Sequence, residues 1–397
     1  MDQAVIGGWC DSRFAAVRDE FACNFRERGE SGAAVCLTVQ GTIVANLCGG
    51  WSDAERRQPW SADTLVNVFS VGKGLIAACT ARLIGLRLLD PDARVTRYWP
   101  QFGAAAKQDV TVRQLLSHQA GLPALREPLP AGSMLDWKLM TDALAAEPPW
   151  WQPGHGHGYH VNTFGFLAGE LIRLITGMTP GELLRRELAG PLGADVHIGL
   201  PAAEQGRVAD FQWGDGPPDY VLPAGNAAPG GPGADLGPAA AQGARMALHA
   251  YFNPPDFSGR GVVNTAAWRS AEIPSANAHA TAAGVARMYA ALAAAGAIDG
   301  IRIVDSGALA AATEEQVYGE DLVLRRPSRF GLGFQLTHAE RELGRGPASF
   351  GHFGAGGSVG FCDPDAGLAF GYVTNQMGPR WRNPRNRALI DACYACL

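Results

Sequence analysis

The chain has 397 residues, 47% of them hydrophobic and 18% charged, with a net charge of −5. That length can bury a large core and is expected to divide into two structural domains. The negative balance and the absence of any basic run exclude nucleic acid as the expected partner, and no apolar run reaches the roughly 20 residues that span a bilayer. Met1-Asp2-Gln3-Ala4-Val5 has no basic stretch leading into an apolar one, so no export signal is expected. The eight scattered cysteines then read as reduced thiols in a cytoplasmic protein.

Phe14, Val17, Phe21 and Phe25 stand at helical spacing, and residues 12–29 are expected to form an amphipathic helix. Two β-rich runs, 33–39 and 42–47, flank Gln40-Gly41 in the pattern of a hairpin. A β-branched run from Val66 to Phe69 then stops at Ser70, and an apolar segment at 75–89 is expected to be a buried helix. Ser70 and Lys73 lie one helical turn apart, so their side chains can share a cleft. A serine hydroxyl needs a neighbour to remove its proton, and a desolvated lysine can do so. The chain has three lysines, Lys73, Lys107 and Lys138, among cations that are otherwise arginine. Arginine cannot serve as a base near neutral pH, which makes lysine at 73 informative. Ser-x-x-Lys alone is nevertheless a weak signal and requires partners elsewhere.

Helices are expected at 112–118, 162–177, 180–188 and 281–295. Between the first two stands Pro153-Gly154-His155-Gly156-His157-Gly158-Tyr159-His160. Its small residues push Tyr159 outward at a helix start, where a nearby lysine ammonium would lower the phenol's pKa towards that of a useful base. Glycine spacers and the lack of an adjacent carboxylate argue against a metal site here. Trp137, Trp150 and Trp151 either wall an apolar pocket or pack in the core, and His118 and His279 read as structural. The Gly/Pro-rich stretch 214–238 is expected as a long loop lining a substrate channel.

Strands are expected at 333–337, 349–353, 358–363 and 368–375, followed by a closing helix at about 383–396. Cys393 and Cys396 have a metal or redox spacing but no second pair, and read as residues of that terminal helix. Gly356-Gly357-Ser358-Val359-Gly360 matches the G-x-S-x-G nucleophile elbow. The elbow requires a helix after the serine and a later histidine, whereas here a strand follows and His352 is the last histidine. The alternative is a glycine-rich strand whose N–H groups approach a substrate oxygen. Strand-rich ends around a helical middle give an α+β fold, an antiparallel sheet built from both chain termini and flanked by helices, with an inserted helical domain.

These motifs, in this order, resemble the serine β-lactamase and penicillin-binding-protein superfamily, in particular its family VIII carboxylesterases. The resemblance covers nearly the whole chain: the hairpin, Phe69-Ser70-Val71-Gly72-Lys73, residues 111–122, Trp151-Gln152-Pro153-Gly154, Tyr159-His160 and His352-Phe353-Gly354. It implies Ser70 as nucleophile, Lys73 as the residue assisting its deprotonation and Tyr159 as partner base. It further implies an oxyanion hole from the N–H groups of Ser70 and Ala355, and substrate contacts from Trp151, His160, His352, Phe353 and Gly354. Lactamases of the tyrosine-using class carry an asparagine where this chain has Val161, and Lys-Thr-Gly where it has His352-Phe353-Gly354. Both departures make the pocket more apolar and favour simple carboxylic esters over β-lactams. The expected division is a discontinuous sheet domain (1–74 and 282–397) and a mostly helical domain (75–281), with the active site between them. No cofactor or metal is expected, and the expected partner is a small-molecule ester. An acyltransferase, an amide, β-lactam or D-peptide hydrolase, and an inactive binding protein are the competing expectations.

Overall fold

The computed structural model describes residues 5–214 and 238–397. The expected channel loop at 214–238 therefore lies, apart from its end residues, outside the described part.

Among the described residues, fourteen strands run in chain order: β1 (Ile6–Cys10), β2 (Gly32–Val39), β3 (Thr42–Gly50), β4 (Val66–Phe69), β5 (Val196–His197), β6 (Ala278–Ala280), β7 (Ala297–Ile298), β8 (Ile301–Arg302), β9 (Val317–Glu320), β10 (Pro327–Phe330), β11 (Gln335–Leu336), β12 (Phe350–Phe353), β13 (Val359–Asp363) and β14 (Leu368–Thr374). Nine of them form one antiparallel sheet in the order β1-β3-β2-β14-β13-β12-β11-β10-β9. Both ends of the chain thus build one sheet, joined where β2 pairs with β14. A second sheet, β4-β6-β5, lies where the helical insertion meets the sheet, and β7-β8 is a small hairpin.

The alternation along β2 explains the layering. Ala33, Val35 and Leu37 face one side and pack with Phe14, Val17 and Phe21 of the helix Ala15–Glu27 and with Leu389 and Cys393 of the terminal helix Pro384–Ala395. Ala34 and Cys36 face the other side and join the larger core, which includes the helices Ala282–Ala293 and Val71–Gly85. A two-residue period leaves each strand with two buried faces once both are covered. The helix Val71–Gly85 is apolar all round because it is enclosed: every residue from Val71 to Ala81 is buried.

Several boundaries differ from expectation for physical reasons. The buried helix begins at Val71 and ends at Gly85, earlier than the apolar run suggested, because its first turn carries Gly72, Lys73 and Gly74. The strand expected at 333–337 shrinks to Gln335–Leu336, preceded by Gly333 in a left-handed conformation (φ 86°). The helix expected at 180–188 is α-helical only over Pro180–Leu183 and continues as a π-helical stretch, Leu184–Ala189. The edge strand β9 (Val317–Glu320) and its neighbour β10 (Pro327–Phe330) are four residues each, too short to show a strand period in the sequence. Among the described residues no helix is long and apolar enough to cross a membrane.

Phe370 stacks on Phe361 with ring centroids 5.2 Å apart under the terminal helices, and both are fully buried. Phe370→Ala is expected to lower unfolding free energy by about 3–5 kcal/mol, read as a reduced urea midpoint.

Candidate active site

β4 delivers Ser70. Its last residue, Phe69, has φ 47°, a left-handed conformation that costs a non-glycine residue roughly 1–2 kcal/mol. Edge-to-face contacts with Phe211 (4.8 Å) and Trp213 (6.0 Å) hold it there, and the register with β6 shifts between Asn67 and Phe69. The chain thereby turns from strand to helix within one residue, leaving Ser70 half-buried at the helix N-terminus and Lys73 buried in the first turn. Asn67, inside β4, accepts from Trp268 Nε1 (2.9 Å) and donates to the Ala276 carbonyl (3.0 Å). That ties the strand to the turn carrying Ser275, which Asn277 fixes by donating to the Trp268 and Ala271 carbonyls (2.7 and 2.6 Å).

Lys73 Nζ lies 2.5 Å from the Val161 carbonyl, 3.2 Å from the Ser275 carbonyl and 3.0 Å from Ser70 Oγ. Burial holds its pKa well below the usual lysine value. A neutral amine has two N–H groups and one lone pair. In the neutral form, with both N–H groups donated to the carbonyls, the lone pair is the group left facing Ser70 Oγ, whose hydroxyl also lies 3.3 Å from the Ser275 carbonyl as a donor. The carbonyl cage thus permits the neutral amine to accept from the serine.

Tyr159 is fully buried between the Phe330 ring (5.9 Å, near parallel), Trp381 (5.4 Å) and His118 (5.3 Å). Its backbone N–H donates to the buried Asp321 carboxylate (3.0 and 3.1 Å). Its ring lies 4.7 Å from Lys73 Nζ, and its hydroxyl is 3.5 Å from His352 Nε2. His352 Nδ1–H donates to the Phe353 carbonyl (2.7 Å), which fixes Nε2 as an acceptor. Burial pushes His352 down to about 3, so it stays neutral. The sequence-based expectation of a lowered Tyr159 pKa is corrected: burial raises it well above the usual value, against a smaller lowering by the nearby Ser70 side chain. The lysine charge invoked to favour phenolate is itself suppressed by the same burial.

Ser70, Ala355, Val161, Asn162 and Ser275 line one cleft with Phe69, Trp213, Tyr251, Phe252 and Trp381. Gly354 brings Ala355 there: a Cβ at 354 would lie 2.3 Å from the Val68 carbonyl, so only glycine lets the end of β12 pass so close to β4.

Other expected contacts lie elsewhere. His160 is buried with both ring nitrogens occupied, by the Gly158 carbonyl (2.7 Å) and the Leu122 N–H (3.0 Å); it is a structural residue. Trp151 donates to the Gly156 carbonyl (3.1 Å), Trp150 to that of Ala124 (2.8 Å) and Trp137 to Glu170 (2.5 Å), and none lines the cleft. Phe353 points to the opposite face of the sheet and packs in the core beneath the terminal helices, so it does not make the pocket apolar. Trp213, Tyr251, Phe252 and Trp381 do that instead. Trp213 directly precedes the Gly/Pro-rich stretch, and that position is the signal by which it could have been found, whereas Tyr251 and Phe252 end the helix Pro238–Phe252 and carry no such signal. Ser358 is fully buried, its Oγ accepting from the Thr374 N–H (3.3 Å). His157 bonds Ser328 Oγ (2.8 Å) and diverges from His160, and among the described residues no cluster of metal-ligating side chains forms.

Residues 17–394 match the family model described as Beta-lactamase. The chain is 37% identical over 379 residues to Esterase/beta-lactamase LipL of Mycobacterium tuberculosis, covering 94% of this chain and 83% of that protein. It is 39% identical to a family VIII carboxylesterase of known structure (TM-score 0.89, 99% of this chain and 100% of the other). It is also 39% identical to a penicillin-binding protein homologue from Caulobacter crescentus (TM-score 0.88, 99% and 100%).

Because the Lys73 pKa is depressed in the folded protein, the folded chain holds fewer protons than the unfolded one between the folded pKa and about 10.4. The penalty for burying the amine is thus full below the folded pKa, and stability is regained as pH rises through that window. Lys73→Met is expected to abolish turnover yet raise stability near neutral pH by on the order of 1 kcal/mol or more. Urea melts at several pH values should show that gain vanishing above about pH 10.4.

The strand-to-helix turn bearing Ser70, the buried lysine behind it and the match over nearly its whole length identify the chain as a member of the β-lactamase family.

Proposed function

We propose that this serine hydrolase of the carboxylesterase and β-lactamase type opens small carboxylic esters through an acyl-enzyme on Ser70. The observation that carries the assignment is the carbonyl-caged Lys73 amine 3.0 Å from Ser70 Oγ. Ser70 Oγ attacks the ester carbonyl while its proton passes to neutral Lys73. The tetrahedral oxyanion is held by the N–H groups of Ser70 and Ala355, each donor of this kind being worth about 3–4 kcal/mol in the transition state. The ester C–O bond then breaks. Tyr159 relays the proton from Lys73 to the departing alkoxide by giving up its hydroxyl proton and taking the one on the lysine. In the second half water attacks the acyl carbon, its proton follows the same route in reverse, and Ser70 regains its hydrogen. A phenol with a raised pKa suits this relay, because it stays protonated until a strong base, the alkoxide, forms beside it.

Specificity follows from the cleft walls. Val161, Phe69, Trp213, Phe252 and Trp381 present apolar surface to the acyl group, and His352 stands where the β-lactam-directed relatives carry a lysine. The aromatic walls favour uncharged esters of short acids, with the exposed Arg260 the cationic side chain among the cleft's lining residues. The same proposal divides the chain into a sheet domain (1–74 and 282–397) and a helical domain (75–281), with the cleft on their seam. The eight free cysteines fit action in the reducing cytoplasm.

Ser70→Ala is expected to lower kcat for p-nitrophenyl butyrate at least 10³-fold, with a phosphonate ester labelling Ser70 alone in the parent protein; an adduct on Ser358, or full activity of the variant, overturns the assignment. Tyr159→Phe should lower kcat by about 10²-fold or more, as expected for loss of a proton relay, while His155→Ala leaves it unchanged. The kcat/KM of the parent should rise with pH as Lys73 loses its proton and reach a plateau below the ordinary lysine pKa. Phe252→Ala should shift the preferred acyl length upward in a panel of p-nitrophenyl esters, whereas Trp151→Phe should not.

A further inference from the structure

A buried ion pair far from Ser70 in sequence is linked to the Ala355 turn by a continuous series of hydrogen bonds. Glu30, which follows the first helix, and Arg385, in the first turn of the terminal helix, are 2.9 Å apart with side chains 0% and 4% exposed. Glu30 also accepts from Thr374 Oγ1 (2.6 Å) and from the Tyr372 hydroxyl, both on β14. A buried ion pair is poor at stabilising a fold relative to apolar residues of the same size, so its presence calls for another role.

Arg385 Nη2 donates to the Gly356 carbonyl (3.0 Å) and to the Gln376 carbonyl (2.8 Å). The same Gly356 oxygen accepts from Asn383 Nδ2 (3.1 Å) and the Gly378 N–H (3.0 Å), while Asn386 Nδ2 holds the Gly357 carbonyl (2.9 Å). In a planar trans peptide the C=O and N–H point in opposite directions. Fixing the Gly356 carbonyl therefore aims the Gly357 N–H, which donates to the Gly354 carbonyl (3.3 Å). Fixing the Gly354 carbonyl in turn aims the N–H on its own peptide plane, that of Ala355, the other way. Gly356 holds φ 82° at the centre of this turn.

We propose that Arg385, anchored by Glu30, is a positioning residue that aims the Ala355 N–H at the substrate oxyanion through two linked peptide planes. The inference rests on the assignment of Ser70 and Ala355 as the oxyanion hole. It predicts that disturbing the pair acts on the transition state rather than on substrate binding, since a misaimed donor loses most where charge develops.

The test uses Arg385→Lys, Arg385→Met and Glu30→Gln, each checked for a cooperative thermal melt. In the folded variants kcat for p-nitrophenyl butyrate should fall about 10- to 100-fold with KM changed less than about 3-fold. Affinity for a trifluoromethyl ketone, which forms an oxyanion on Ser70, should fall in parallel, while affinity for the methyl ketone of the same skeleton holds. Arg385→Lys should recover part of the loss seen in Arg385→Met. Unchanged kcat, a loss confined to KM, or equal weakening of both ketones overturns the proposal, as does failure of all three variants to fold, which would assign the pair to folding alone. Ser70→Ala, measured beside them, separates the two ideas: if it stays active, the nucleophile assignment has failed rather than the relay.

Discussion

The desolvation of Lys73 is the constraint around which the rest of the site is arranged. An ammonium group in this enclosed apolar helix is strongly disfavoured, so burial favours the neutral amine. Two carbonyls, from Val161 and Ser275, then take its N–H groups. Those carbonyls come from separate parts of the helical insertion. The segment after Tyr159, the turn before β6 and the start of the helix Val71–Gly85 must therefore meet at one point. Holding them there requires the buried Asn67 and Asn277 networks, which satisfy the backbone groups of the converging loops.

The same burial gives the three polar groups complementary roles. It pushes the pKa of Lys73 down and that of Tyr159 up, which favours the neutral amine and the protonated phenol. His352, kept neutral and with Nε2 unprotonated, offers the phenol an acceptor and no positive charge. A proton can move along such a set without any member carrying a buried charge at rest. In the proposed reaction, charge appears only as the serine attacks, when the ester supplies the opposite sign.

Much of the fold was legible from periodicity. The hairpin at 33–47, the closing helix and the strands at 349–375 each have a clear pattern and a single partner layer, so local sequence and tertiary structure agree. The failures occurred where one pattern serves two demands. The apolar run after Ser70 did not show where its helix begins, because the first turn contains two glycines and the site lysine. Trp151, His160 and Phe353 sit beside motif residues in sequence but on other faces in space. Adjacency along a strand alternates sides, so Phe353 next to His352 faces the opposite core.

By itself the sequence determined that Ser70 and Lys73 share one helical turn, that Ser358 lacks the context of an elbow, and that both chain ends contribute to one sheet. These properties follow from spacing and period, which are local. Only the tertiary structure decided the direction in which burial shifts Lys73 and Tyr159, the aromatic walls of the cleft and the grip of Glu30 and Arg385 on the Ala355 turn. Each of these depends on which groups exclude water from which, and that exclusion is created by segments up to 355 residues apart in the chain meeting in one interior.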